Sequence, residues 1–117
     1  LSEDGLLMPE EHYLTLSNNN VTITKEFFDK DALIVENSGI KSVSLSKDCE
    51  PVVEVMFKAP VFGLWSAAGK GVPFVCIEPW YGRTDAIDSD GSLTAREWGN
   101  ELAGGETFTG GYRCKFL

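Results

Sequence analysis

The run VVEVMFK (52–58) puts Val53, Val55 and Phe57 on one side of an extended chain and their neighbours on the other. The same period of two returns along most of the sequence, and it is the feature that most limits the fold. HYLTLS (12–17) and VTIT (21–24) alternate on either side of Asn18, Asn19 and Asn20, as the arms of a hairpin or loop would. DALIVEN (31–37) is a short apolar run closed by Asn37, Ser38 and Gly39, and SVSLS (42–46) alternates cleanly. PVFGLWS (60–66) and FVCIE (74–78) flank a Gly-Lys-Gly turn, and YRCKFL (112–117) ends the chain. Strands this short, punctuated by turn residues, predict a mainly β, antiparallel fold. One short helix is expected in SLTAREWGNELAGG, where Thr94 and Glu97 have capping-box spacing and Gly104 or Gly105 could stop it.

With 117 residues the chain is read as a single domain with a modest core. A net charge of −8 leaves no basic face for nucleic acid or an anionic membrane. No apolar run has the length of a spanning helix, and no succession of charged, apolar and small residues marks a signal peptide. Cys49, Cys76 and Cys114 are odd in number and widely spaced, which argues against a disulfide framework and for the reducing cytoplasm. The chain opens on Leu1 without an initiator methionine, as a piece of a longer chain would.

The chemistry centres on PFVCIEPWYGR (73–83). If FVCIE is extended, Phe74, Cys76 and Glu78 share one face and Val75 and Ile77 the other; Trp80 joins the Glu78 face if the chain stays extended through Pro79. Pro79 holds Glu78 in the extended region and removes a ladder donor, so the strand is expected to open there. A carboxylate closing an apolar run is costly unless solvated, paired or employed. Two readings therefore stand: an ion pair of Glu78 with Arg83 or another cation at a sheet edge, or an acid–base group beside an aromatic surface, as in a sugar site.

Other motifs carry less. The turn GKG (69–71) lacks the surroundings of a phosphate loop. DSDG (88–91) with Glu97 imitates a calcium loop, but its first ligand position falls on Ala86, and a turn explains the same residues. His12 has no cysteine partner at metal spacing, so no metal site is assigned.

FFDKDALIVEN, APVFGLWS, PFVCIEPWYGR and REWGNELAGGETF, in that order, resemble the C-terminal part of the aldose 1-epimerase (galactose mutarotase-like) family, in its bacterial branch carrying CIEPW. The resemblance runs through nearly all of the chain and covers well under half of a typical member, a large β-supersandwich, and so implies an antiparallel β-sandwich that is part of one. It implies mutarotation of a free aldohexose without any cofactor. Glu78 matches the catalytic base, while the acid histidine belongs to an upstream block that His12 does not match. Asp31 matches a region supplying an aspartate to sugar hydroxyls; Trp80 and Arg83 belong to the matched motif and are expected near the sugar. For Asp31 a strand-entry turn residue, and for Arg83 an ion pair with Glu78 or Asp85, remain open. The resemblance further implies that these residues alone would be a poor catalyst, associating with the missing N-terminal part or with another copy through exposed edges. The competing class is a non-catalytic sugar-binding or sensing protein on the same fold; a hexose-phosphate epimerase would need a cationic clamp, for which Arg83 and Lys70 are the nearest groups.

Overall fold

The computed structural model describes residues 1–2 and 4–117. Among the described residues six strands form in chain order: β1 (Leu33–Glu36), β2 (Ser42–Lys47), β3 (Glu50–Phe57), β4 (Val61–Trp65), β5 (Cys76–Trp80) and β6 (Tyr112–Phe116). They make two antiparallel sheets, ordered β1-β4-β5 and β2-β3-β6. The sheets meet through the alternate residues that the period of two set apart. Val55 and Phe57 of β3, Ala59 in the connection that follows, and Phe62 of β4 form the buried centre, with Val35, Val43, Leu64, Ile77 and Tyr81 packed around it. Phe57 and Phe62 cross between the sheets at a ring separation of 5.3 Å. Each such ring removed from water contributes about 2–3 kcal/mol.

The hairpin of β4 and β5 turns at Gly69 and Gly71, both with positive φ (65° and 60°), so the Gly-Lys-Gly reading holds. The strand does not open at Pro79. β5 continues to Trp80, with Pro79 opposite Phe62. An edge strand allows this, because a proline turned outward removes no ladder bond.

Two further expectations need correction. Segments 12–17 and 21–24 make no ladder; only the tight turn forms, with Ser17 and Asn20 exchanging both backbone bonds at 2.9 Å and Asn18 and Asn19 at positive φ. Alternation marks a chain ready for pairing, and Tyr13, at 91% exposure, meets no partner strand. The short helix is also absent from the described residues; 93–98 are turns. Its capping box dissolves because Thr94 bonds Ser92 and Glu97 pairs with Arg83, while Trp98 stands at φ 57°. Long-range partners for these side chains outweigh a weak local propensity already lowered by Gly99. No helix among the described residues is long and apolar enough to cross a membrane.

By register, Tyr112, Cys114 and Phe116 of β6 lie opposite Phe57, Val55 and Val53, on the side that faces the core. They are nevertheless exposed, Phe116 by 84%, because the other sheet does not extend over β6.

Candidate functional site

The reverse side of the β1-β4-β5 sheet carries the chemistry. Antiparallel pairing sets Gly63 opposite both Ile34 and Glu78, and Val61 opposite both Glu36 and Trp80. Glu36, Glu78 and Trp80 therefore rise from one face, with Val61 fully buried beneath them. Gly63 permits the arrangement: a Cβ there would stand 3.0 Å from the indole of Trp80, so the ring lies back across β4. Folded over in this way, Trp80 Nε1 donates to Glu78 Oε2 at 3.2 Å. Glu78 is half-buried and pairs with no cation among the described residues, so the ion-pair reading of this residue is replaced by a carboxylate held by an indole donor.

A second carboxylate–indole pair stands on the same face. Trp98 Nε1 donates to Glu36 Oε2 at 2.6 Å, across 62 positions of sequence. Glu36 Oε1 lies 3.5 Å from Arg83 Nη1, and the Arg83 Nη2 contacts Glu97. Arg83 is thus paired as expected, but with Glu36 and Glu97 rather than Glu78 or Asp85. Asp85 takes Arg96 instead, in a two-point contact of 2.7 and 3.1 Å. Glu36 and Trp98 were not singled out in the sequence. Glu36 could have been, since LIVE ends an apolar strand on a carboxylate just as FVCIE does.

The loop after β5 is braced from both termini. Thr84 Oγ1 donates to the Gly5 carbonyl at 2.9 Å, and Leu7 exchanges backbone bonds with Asp85 and Ile87. Tyr81 Oη donates to the Gly111 carbonyl at 2.8 Å, and Asn100 Nδ2 to the Tyr81 carbonyl. Between these braces opens a cleft of about 560 Å³ lined by Trp80, Arg83, Thr84, Arg96, Trp98 and Asn100, among others. Its size lies within the about 300–1,000 Å³ usual for small-molecule sites. Asp31 lies elsewhere, in a smaller cleft with Leu1, Ser2, Asp29 and Lys30. It adopts φ 74° and accepts the Ala32 N–H at 2.7 Å, the local bond of a turn residue. His12 is exposed on the segment before the Asn turn. In DSDG, Ser89 and Asp90 spend their side-chain oxygens on the Gly91 and Ser92 N–H groups, as a turn does.

Cys76 stands two residues before Glu78 on the same face. Partial burial raises the pKa of its thiol above the ordinary 9.0, and the neighbouring Glu78 charge and a hydrogen bond to that carboxylate raise it further. A thiol with a raised folded-state value favours folding below pH 9.0, and that contribution is lost as pH climbs through the raised value. At pH 8, iodoacetamide should therefore label Cys49 and Cys114, both exposed, before Cys76. Glu78→Gln should speed labelling of Cys76 alone, because the charge is removed and the burial stays. Equal labelling of Cys76 in the two proteins would place the carboxylate away from the thiol.

No family model matches the sequence, and no curated protein matches it. Among solved structures, the chain is similar to a galactose mutarotase related enzyme from Lactobacillus acidophilus, with 36% identity and a TM-score of 0.75. The match covers 83% of this chain and 33% of that one, so the chain spans about a third of its relative's length. The body of two antiparallel sheets resembles that enzyme in sequence and in shape.

Proposed function

We propose that this chain is the C-terminal segment of an aldose 1-epimerase and that Glu78 is its general base. The observation carrying this reading is the Glu78 carboxylate, unpaired by any cation among the described residues and held by the Trp80 indole on an open sheet face, in a chain similar to a galactose mutarotase related enzyme. Glu78 takes the proton of the C1 hydroxyl while an acid on an upstream segment protonates the ring oxygen. The C1–O5 bond breaks to give the open-chain aldehyde. Rotation about C1–C2 and reversal of the two proton transfers close the other anomer. These steps need no cofactor. Trp80 offers its ring to the apolar face of the sugar, and Arg83 forms part of the cleft while clamping two carboxylates; no part is assigned to Asp31, which lies in the other cleft.

The substrate is a neutral aldohexose. Both cleft arginines already have their charge balanced by carboxylates, Arg83 by Glu36 and Glu97 and Arg96 by Asp85, which does not favour a sugar phosphate. A cytoplasmic location fits three free thiols, two of them exposed.

Polarimetry of freshly dissolved α-D-glucose and α-D-galactose tests the function. The full-length protein should accelerate the approach to anomeric equilibrium, and residues 1–117 alone should leave it at the buffer rate. Saturable sugar binding by the full-length protein without acceleration would select the sensing protein instead.

A further inference from the structure

Trp98 is a bulky residue at φ 57°, in the left-handed region where such residues are true outliers. A conformation of this kind persists only where its surroundings over-determine it, and it concentrates at ligand sites. The surroundings here are explicit: the indole N–H is tied to Glu36, Glu36 lies against Arg83, and the Gly99 N–H is held by the Arg96 carbonyl at 3.3 Å. Arg83 is itself buried to 5% side-chain exposure, and its Nε and Nη1 have no hydrogen-bond partner among the described residues. An arrangement that leaves guanidinium donors unsatisfied is costly as mere scaffolding. Its visible product is the fixed position of Trp98 on the wall of the cleft that Trp80 also lines.

Both indoles have spent their only polar atom on a carboxylate of the sheet, Trp80 on Glu78 and Trp98 on Glu36. What they present to the cleft is therefore aromatic surface. Arg83, Thr84, Arg96 and Asn100 add polar groups to the lining. Two aromatic walls interleaved with polar side chains suit a pyranose, whose C–H faces are apolar and whose rim is hydroxylated.

We propose that Trp98 is a second sugar-binding wall of this cleft and that Glu36, backed by Arg83, is the positioning residue that sets its indole. The inference rests on the sugar-site reading above, and its test uses binding as well as turnover so that the two can fail separately. The probe is methyl α-D-galactopyranoside, with methyl α-D-glucopyranoside beside it; neither can change anomer. In the ¹⁵N-labelled full-length protein, the indole N–H signals of Trp80 and Trp98 should shift on titration while that of Trp65, outside the cleft, stays fixed; Trp98→Phe assigns the signal. A Trp80 shift with a still Trp98 overturns the proposal.

In exchange assays Trp98→Ala should raise KM about tenfold or more with kcat changed far less, and Trp98→Phe should recover most of the loss. Glu36→Ala should raise KM similarly. Glu36→Gln, which keeps an oxygen for the indole N–H, should restore it; a Gln variant as impaired as the Ala variant overturns the positioning role. Trp98→Phe and Glu36→Gln keep the ring and the acceptor, so they serve if the alanine variants fail to fold. A raised KM in Trp98→Ala together with an active Glu78→Gln enzyme supports the wall and removes the base. An unchanged KM with an inactive Glu78→Gln enzyme does the reverse.

Discussion

Glu78→Gln in the full-length enzyme should slow anomer exchange by about 10²–10⁴-fold, the usual contribution of a positioned acid or base. The effect should fall on kcat. Glutamine has the same shape and still offers Trp80 an oxygen at the position now 3.2 Å from the indole nitrogen, so the ring keeps its place over Gly63. What disappears is the ability to receive a proton from the C1 hydroxyl. Sugar binding should remain within a few-fold, since the aromatic surface and the paired arginines are untouched. Cys76 supplies a control inside the same molecule: its faster labelling in the variant reports that the charge has gone while β5 has stayed in place. An enzyme that keeps most of its turnover as Glu78→Gln does not use this carboxylate as its base.

The largest effect on stability is expected at Arg83. Arg83→Met keeps the length and much of the volume of the side chain while removing the charge shared by Glu36 and Glu97. Truncating one partner of a buried pair costs about 3–5 kcal/mol, because the other charge is left without compensation. Glu36 retains 25% side-chain exposure and the Trp98 indole, which lowers the expected cost to about 2–3 kcal/mol. For a chain of this size that corresponds to a melting point lower by roughly 10 °C. Glu97→Gln separates the two carboxylates. With 73% of its side chain exposed, Glu97 is screened by water, and its loss should cost under about 1 kcal/mol. An Arg83→Met protein that melts with the wild type would make Glu36 a solvated surface carboxylate rather than a dependent of Arg83.

β2 and β3 were legible because alternate residues turn to the core, which enforces period two, whereas β1, β4 and β5, covered on both sides, showed as short apolar runs. The site face was legible only in β5. Glu78 and Trp80 share it by strand geometry, and the structure keeps that relation through Pro79. The rest depended on distance in sequence. Trp98 reaches Glu36 from the other end of the chain, and Arg83 chooses Glu36 over the nearer Asp85, which Arg96 has taken. No local pattern encodes such choices. The failed helix has the same cause: Thr94 and Glu97 have the spacing of a cap, but Arg83 is the better partner for Glu97. In the hairpin around Asn18 and Asn19 the turn was encoded locally, while its arms depended on a neighbour that alternation does not supply.

Pro79 has a bearing on how the molecule meets other strands. A strand docking along β5 needs a continuous row of outward N–H groups, and the proline interrupts that row beside Glu78. The opposite sheet ends on β6, a strand with no proline, every residue exposed, and Tyr112 and Phe116 showing on the core side. The two margins are therefore of unequal stickiness. Crowding, high concentration or a tag that offers an extended segment would engage β6 before β5, and the tryptophan-lined face beside β5 would stay accessible to small solutes.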